Sequence, residues 1–442
     1  PMSDPISIDL PVASAPSIWR ASGAAAAGRV GILAAGLASS LLLPLALPPD
    51  KVGIYFIAQI LTSGFAILVQ LGLTFTVPAL VSAATAKGDF GRARDLIARI
   101  QGLVVSFGLI TALAFWLAEH WIGSSGGNEW GEILPIVAVA IPCAALGSVQ
   151  VELLRAVHSI RSSAFLMAFP SAIVALFLAF ALVTHSSVTL HQVLLCSLVG
   201  FAMAAGFGAF SIFMMSRRWT EPANVETNLR AIILRTLPNL ATTLMLFGLS
   251  QVDMVLLTLF TSFSEVAQYG VALRISTVLI MPLSIANSAF APSAVQHWTL
   301  GDRVGLQRSL RTLVGVSTLL TCLMYFGLVT LGYAAVQIWN PHYESSLWIA
   351  LILGCGQVCH VLGGSSGVLL MVLGDEKFAF RITLGTGLAT VVLCTAGVLM
   401  EGPLLLASAA AFCNALQVGF FSARARKIFD VDPTILSVVK GK

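Results

Sequence analysis

The sequence VGIYFIA at residues 52–58 has a second version, VAQYGVA, at residues 266–272. Valine, tyrosine and alanine match at a constant offset of 214 residues. Several matches in one register indicate an internal duplication, in which each half of the chain builds a similar unit. The same register relates two further pairs: Pro78 with Pro292 and, after one residue of slippage, Gly88-Asp89 with Gly301-Asp302.

The composition around these repeats is that of a membrane protein. Of 442 residues, 57% are hydrophobic and only 10% are charged, and the mean hydropathy is +0.92. Soluble domains carry about 25% charged residues, so this chain cannot cover a globule of its size with a water-facing surface. The pattern excludes a cytosolic enzyme, a nucleic-acid-binding protein and a secreted domain. The net charge of +4 is too small to indicate an acidic partner.

Twelve apolar stretches are long enough to cross a bilayer, which takes about 20 residues each. The two versions of the repeated sequence open the second and the eighth. Connections between the stretches are short and leave no room for a soluble catalytic domain. The predicted spans are 24–47, 53–84, 100–122, 133–157, 164–184, 193–215, 231–261, 267–296, 310–334, 346–372, 380–400 and 402–422.

Positive charge alternates across the predicted connections. Twenty-two of the 24 lysines and arginines lie in the N-terminal region, in the even-numbered connections, in the span ends next to these segments or in the C-terminal tail, and only Lys51 and Arg274 lie elsewhere. Cytoplasmic segments are the ones enriched in cations. Both termini are therefore predicted to be cytoplasmic.

The even number of spans per repeat means that both halves enter the membrane from the same side. We therefore expect an all-α protein with two parallel six-helix lobes around a central cavity, the arrangement of a rocking transporter. The predicted organisation is a flexible cytoplasmic tail at 1–23, an N-lobe at 24–216, a cytoplasmic linker at 217–230, a C-lobe at 231–422 and a cytoplasmic tail at 423–442.

The sequence also resembles a known family. The stretches DMVLLTLF (253–260), SEVAQYGVALR (264–274), VGIY (52–55) and KGD (87–89) are similar to bacterial Wzx-type polysaccharide flippases. These belong to the multidrug/oligosaccharidyl-lipid/polysaccharide exporter (MOP) superfamily, and the resemblance covers about residues 24–430. It implies a MATE-like fold in the bacterial inner membrane. It also implies alternating-access transfer of an undecaprenyl-diphosphate-linked oligosaccharide to the outer leaflet for O-antigen or exopolysaccharide synthesis, with other polysaccharide-assembly membrane proteins as expected partners.

Asp253 and Arg274 are the most informative charges within the spans. Each lies about eight residues from the turn between spans seven and eight, so both lie about 12 Å below it. Buried ionisable groups in a membrane usually face a partner or a cavity. Two interpretations stay open: a structural ion pair, or a pair that opens during transport and frees Arg274 to contact a diphosphate or sugar.

Three further charges are candidates near the cytoplasmic edge. Arg29 either extends to the membrane surface or faces the cleft and meets the diphosphate. Lipid II flippases have an Arg-Val pair early in span one, similar to Arg29-Val30, and use arginines in spans one and eight, which supports the second interpretation by resemblance. Glu152 and Arg155 lie three residues apart on one helical face, which predicts a local pair. They are candidates for coupling or gating, and Arg155 is otherwise either a topology anchor or a headgroup contact.

Uncharged polar residues within the spans complete the set of candidates. The amides Gln59, Gln70, Asn239 and Gln251 are predicted to contact the sugars or to form bonds between helices. His360 lies near the middle of the tenth span and is either a proton relay or a neutral side chain bonded between helices.

Two other functions compete with flipping. A multidrug or cation antiporter of the same fold is the closer alternative, but the first span contains no acid and Arg274 is available to neutralise Asp253. A membrane-embedded enzyme is disfavoured because Lys51 is the only cation in the outer connections. No nucleotide-binding loop or metal-ligand spacing occurs, so no cofactor is expected. An H⁺ or Na⁺ gradient is therefore the expected energy source.

Overall fold

The computed structural model describes residues 31, 34–123, 128–157, 159–217, 219 and 229–439. These residues form helices joined by short turns, with no strand among them. The helices are α1 Ala34–Ala46, α2 Pro49–Val69, α3 Leu73–Ala86, α4 Phe90–Gly123, α5 Asn128–Ala156, α6 Ile160–Val183, α7 Leu190–Ser216, α8 Leu229–Phe260, α9 Phe263–Leu279, α10 Met281–Thr299, α11 Arg303–Trp339, α12 Glu344–Leu362, α13 Ser366–Val372, α14 Glu376–Glu401, α15 Pro403–Phe429 and α16 Leu436–Val439.

The described helices match the predicted spans in order and position. Ten of them are long and apolar enough to cross a membrane, and α9 with α10 forms an eleventh candidate that is bent by 50°. Helix α1 is the described part of the first predicted span, whose first residues lie outside the described chain. Following the predicted orientation, we call the end with the α8–α9 turn the outer end and the opposite end the inner end.

Three predicted spans are not continuous helices. The second breaks between α2 and α3, where Leu71 and Gly72 have φ values of 51° and 70°. The eighth bends at Ile280, and the tenth breaks at Gly364, which has a φ of 66°. A Cβ on Gly72 would overlap the backbone of Thr236 in α8, so close helix packing as well as left-handed geometry requires glycine there. Hydropathy places each of these spans as one apolar stretch, because it does not detect a break in the helix.

The duplication is visible in local geometry. Helices α4 and α11 each follow a turn with a left-handed glycine, at φ 74° and 70°. In each case the next residue caps the helix: Asp89 Oδ1 accepts from the Arg92 amide at 3.0 Å, and Asp302 Oδ1 accepts from the Gly305 amide at 2.8 Å. Such caps satisfy amides that lack partners within the helix. The repeated Gly-Asp pair is therefore a repeated helix start.

The end of the chain packs against the C-lobe. Helix α15 continues to Phe429, and the next residues turn back towards α11. Gln307 Nε2 donates to the Asp432 carbonyl at 2.9 Å, and the Asp432 amide donates to Gln307 Oε1 at 2.7 Å. The Ile435 amide donates to the Leu362 carbonyl at 3.0 Å, next to the break between α12 and α13. The predicted tail at 423–442 thus includes a helix end and a docked segment.

Much of the other predicted connecting sequence lies outside the described residues. This applies to the tail at 1–23 and to most of the linker at 217–230. The predicted lobe boundaries therefore stay predictions. The positions that carry the candidate site are described, with the exception of Arg29.

Candidate functional site

The two repeated helices, α2 and α9, pack directly against each other. A Cβ on Gly270 would overlap the ring of Phe56, and a Cβ on Gly53 would overlap the backbone carbonyl of Phe263. Phe56 and Gly270 are equivalent positions of the duplication, 214 residues apart. Equivalent positions meet only near a symmetry axis, so the pseudo-two-fold axis between the repeats passes close to this pair.

A second contact joins the two repeats at the outer end. Trp339 Nε1, at the end of α11, donates to the Leu41 carbonyl of α1 at 3.2 Å. Asn340 Nδ2 donates to the Pro44 carbonyl at 2.8 Å. The Pro44 carbonyl is one of the last four of α1, which lack partners within the helix, and Pro48, four residues on, has no amide hydrogen to donate to it. The outer ends of the N-terminal and C-terminal halves are thus held together by polar as well as apolar contacts.

The hydrophobic core of the described residues consists of two clusters. One cluster of buried residues contains side chains from both repeats, among them Leu43, Phe56, Val266 and Tyr343. A separate cluster at the inner end is formed by α10, α11, α13, α14, α15 and the segment after α15, and its described residues include none from the first repeat. The larger cluster therefore joins the two halves, whereas the smaller one belongs to the C-terminal half alone.

Arg274 lies at the contact between the repeats. Its Cζ is 4.7 Å from the centre of the Phe56 ring, so a cation from α9 stacks on an aromatic residue of α2. Stacking of this kind contributes about 0.5–2 kcal/mol, more where water is excluded. The side chain is half-buried.

Asp253 has a different partner from the one that the sequence suggested. It is 9% exposed, and Tyr269 Oη donates to its Oδ2 at 2.8 Å. The Met254 amide donates to Oδ1 at 2.9 Å. No ion pair within 4.0 Å joins Asp253 to Arg274, both of which the structure describes. The predicted pair is therefore wrong for this conformation, because Tyr269 already satisfies the carboxylate and Arg274 turns towards α2.

A polar cavity lies within the C-terminal half, beside Asp253. Its volume is about 390 Å³, and its lining includes Asp253, Gln357, Asn414 and Gln417. His360 Nδ1 and Asn414 Oδ1 are 3.0 Å apart, the contact expected if His360 bonds between helices. Gln357 Oε1 is buried without a partner in the described chain. Three threonines of α14 complete the polar wall: Thr383, Thr386 and Thr390.

Two predicted amides bond between helices. Gln59 Nε2 donates to Ser197 Oγ of α7 at 3.0 Å, and the Tyr55 hydroxyl lies 3.2 Å from the same oxygen. Asn239 Nδ2 of α8 donates to Thr76 Oγ1 of α3 at 3.1 Å, which joins the two repeats near the break in the second span. Both amides therefore stabilise the helix arrangement in this conformation.

The remaining candidates lie apart from this contact. Gln70 is buried at the end of α2, and Gln251 Nε2 donates to the neighbouring Ser250 at 3.4 Å. Arg155 Nη1 and Glu152 Oε1 are 2.6 Å apart, which confirms their predicted pairing. Glu152 also lines a cavity of about 310 Å³ in the N-terminal half. Arg29 lies outside the described residues.

Comparison with solved structures identifies the architecture. An inward-facing multidrug-resistance MATE transporter of the MOP superfamily superposes with a TM-score of 0.72 at 13% identity, over 94% of this chain and 99% of that one. An outward-facing MATE transporter gives 0.61 at 11% identity, over 96% of each chain. A MOP-superfamily transporter from Pyrococcus furiosus gives 0.57 at 13% identity, over 94% and 95%.

The chain has the MATE fold. The predicted all-α architecture of twelve helices in two lobes is thereby confirmed. No protein-family model matches the sequence, and no curated protein matches it. Within the MATE fold the α2–α9 contact lies between the lobes, so Phe56 and Arg274 belong to the lobe interface, while Asp253 and its cavity belong to the C-lobe.

Sequence reasoning missed several residues of this MATE-fold interface. Tyr55 and Tyr269 are the repeated tyrosines, and each bonds a polar residue of another helix: Ser197 for the first and Asp253 for the second. The two tyrosines occupy the same position in the two repeats, and this match is the feature of the sequence that could have identified them. The outer contacts of Trp339 and Asn340 gave no such signal, because they depend on how the ends of distant helices meet.

Proposed function

We propose that this protein flips an undecaprenyl-diphosphate-linked oligosaccharide from the inner to the outer leaflet of the bacterial inner membrane. The observation that carries the proposal is the position of Arg274 and its contact with Phe56. This arginine lies at the lobe interface, and its cation is stacked on Phe56 instead of being neutralised by Asp253. A cation between two lobes that separate and rejoin is suited to a substrate with an anionic diphosphate, because guanidinium groups bind phosphate oxygens in pairs.

The other candidate residues take consistent roles in this proposal. Gln59 and Asn239 exchange their present helix bonds for sugar hydroxyls as the lobes move, and Arg29 meets the diphosphate from the cytoplasmic side. Asp253 supplies the site for a coupling ion, H⁺ or Na⁺, next to amides and threonines of the C-lobe cavity. Both termini are cytoplasmic, and the product enters O-antigen or exopolysaccharide synthesis with other membrane proteins of polysaccharide assembly.

Reconstitution tests the proposal. The full chain in proteoliposomes is given an undecaprenyl-diphosphate-linked disaccharide, and leaflet transfer is followed by accessibility of the sugar to an external lectin. We expect Arg274→Gln to reduce the rate at least tenfold and Arg274→Lys to retain more of it. Arg381→Gln removes an exposed arginine of α14 and is the matched control. No transfer by the wild-type protein, or full transfer by Arg274→Gln, would overturn the proposal.

Cation antiport is the second candidate, and the C-lobe cavity favours it. Asp253 lines that cavity and, contrary to expectation, has no ion pair with Arg274. A buried carboxylate with amides and threonines can hold an organic cation. For the Pyrococcus furiosus neighbour, reverse polarity of the binding pocket is taken to suggest a different function. Ethidium efflux driven by a pH gradient, lost in Asp253→Asn and retained in Arg274→Gln, would support antiport over flipping.

A further inference from the structure

A basic groove opens at the inner end of the N-lobe, away from the lobe interface. Its volume is about 420 Å³, and it lies between the start of α4 and the end of α7. Arg94 and Arg217 line it with Gln101, while Ile97 and Phe213 provide apolar walls. Neither helix fills the space between them, because α4 and α7 both pack against α5.

The duplication shows what the corresponding groove of the C-lobe contains. In the register that relates the two Gly-Asp turns, Arg94 corresponds to Gln307 of α11. Gln307 is bonded in both directions to the backbone of Asp432, so the chain following α15 covers this position. The last residues of α7 and α15, Ser216 and Phe429, correspond in the same register. The chain that follows these helices therefore meets α11 in the C-lobe and α4 in the N-lobe at corresponding positions.

The two grooves share a backbone contact but differ in charge. In the same register Trp219 corresponds to Asp432, so the bond of Arg94 to the Trp219 carbonyl repeats the bond of Gln307 to the Asp432 carbonyl. The two arginines of the N-lobe groove are exposed, and the residues that line it include no carboxylate. The Arg94 guanidinium makes one long hydrogen bond, from Nη1 to the Trp219 carbonyl at 3.4 Å. Deeper in the groove, Gln101 Nε2 donates to the fully buried Gln150 at 3.2 Å. The mouth is thus cationic and the floor is polar, which is the chemistry of an anion site.

The surface next to the groove is suited to a lipid chain. Phe210 and Phe213 of α7 are 57% and 59% exposed, on a helix that is apolar enough to cross a membrane. Basic pockets between transmembrane helices on the cytoplasmic side bind anionic lipid headgroups. A ligand that matches this surface has an anionic phosphate and an apolar tail at the inner membrane surface.

We propose that this groove binds the phosphate headgroup of an anionic phospholipid of the inner leaflet, with Arg94 and Arg217 on the phosphate and an acyl chain along α7. The site is separate from the interface that holds Arg274. The lipid ties the inner ends of α4 and α7 together in the N-lobe.

Native mass spectrometry of the full chain tests this proposal. The probes are phosphatidylglycerol and phosphatidylethanolamine with the same acyl chains, with inorganic phosphate and undecaprenyl diphosphate as competitors. We expect wild type to prefer phosphatidylglycerol and each substitution, Arg94→Gln or Arg217→Gln, to weaken its binding about fivefold, or ~1 kcal/mol per arginine. The matched control is Arg92→Gln combined with Arg381→Gln, which removes two exposed inner-end arginines that do not line the groove.

The outcomes distinguish a phospholipid from the other phosphate-containing ligands. A phospholipid site would be supported by three results together. The double variant Arg94→Gln/Arg217→Gln loses the preference for phosphatidylglycerol, the control variant keeps it, and inorganic phosphate does not compete. Equal binding of the two phospholipids by wild type would overturn the proposal, as would an unchanged preference in the groove variant. Displacement of phosphatidylglycerol by equimolar undecaprenyl diphosphate in wild type, but not in the groove variant, would also overturn it and assign the groove to the transported lipid.

Discussion

Gly53 of α2 lies so close to Phe263 of α9 that a Cβ at this glycine would overlap the Phe263 carbonyl. The contact brings backbone against backbone, which cannot yield as a flexible side chain can. It also joins the first turn of α9 to the N-terminal part of α2, across the lobe interface. The closed outer end therefore depends on the absence of a side chain at one position.

We expect Gly53→Ala to separate α2 from α9 at the outer end. Alanine has a higher helix propensity than glycine, by up to ~1 kcal/mol. A lower apparent Tm would therefore show that the loss of the α2–α9 contact outweighs the gain in helix propensity. Gly385→Ala in α14 is the control, since nothing lies within 4 Å of a Cβ there, and it should leave Tm unchanged or raise it. An unchanged Tm and an unchanged α2–α9 spin-label distance in Gly53→Ala would contradict this interpretation.

Asn340→Ala should also weaken outer closure. The variant loses the bond to the Pro44 carbonyl at 2.8 Å and the bond that Asn340 accepts from the His342 amide at 3.1 Å. Each bond is worth about 1 kcal/mol, so the equilibrium should shift about fivefold or more towards an open outer end. The measurement is double electron–electron resonance between labels on α1 and α11.

Gln337→Ala is the matched control for Asn340→Ala. Its side chain lies at the same corner and bonds Glu344 at 3.2 Å, so its contact stays within the C-lobe. The distance distribution of this variant should be that of wild type. An equal shift in both variants would mean that the corner is destabilised in general and that the contact with α1 has no special role.

Tyr269→Phe should leave a buried carboxylate without its side-chain donor. Tyr269 is fully buried and donates to Asp253 at 2.8 Å, and an unsatisfied buried group costs about 1–3 kcal/mol. The apparent Tm should fall, and Asp253→Asn combined with Tyr269→Phe should cost less than the sum of the two single changes. Tyr333→Phe, at an exposed tyrosine, is the control. Additive effects of the two changes would argue against the coupling.

Acid should release the segment after α15. Partial burial opposes ionisation of Asp432, but hydrogen bonds from Thr434 and Arg426 outweigh it and lower the pKa of this carboxyl below its usual value. A group with a lowered folded-state pKa stabilises the fold above the unfolded pKa of about 3.9, and this stabilisation is lost as pH falls through the folded value. We therefore expect hydrogen-exchange protection at the Ile435 amide, corrected for intrinsic rate, to fall below about pH 4.

Asp432→Asn provides the comparison for this pH effect. The variant should lower the protection of Ile435 at neutral pH and remove most of the change below about pH 4, because asparagine does not titrate. The Asp375–Arg424 pair, at 2.8 Å in the same lobe, should keep its environment in this variant. Wild-type pH dependence in Asp432→Asn would show that another group controls the segment.

Sequence analysis predicted interactions between residues close in the chain better than those between distant helices. Glu152 and Arg155 pair as their helical spacing requires. Asp253 and Arg274 lie at matching depth, but depth does not fix the direction of a side chain around the helix axis. Tyr269 reaches the carboxylate instead. Which side chain bonds Asp253 depends on how α8 and α9 are rotated about their axes. Helices that are apolar on all sides have no periodic pattern from which this rotation can be predicted.

The order of the spans, the duplication and the helix starts at Asp89 and Asp302 follow from the sequence by itself, because hydropathy, repeats and capping are local properties of the chain. The breaks at Gly72 and Gly364, the meeting of Phe56 with Gly270 and the partner of Asp253 were decided by tertiary structure. In a membrane, helices pack by close steric fit without strong hydrophobic preference among themselves. The contacts between them are therefore fixed by three-dimensional shape, which composition and spacing describe only in part.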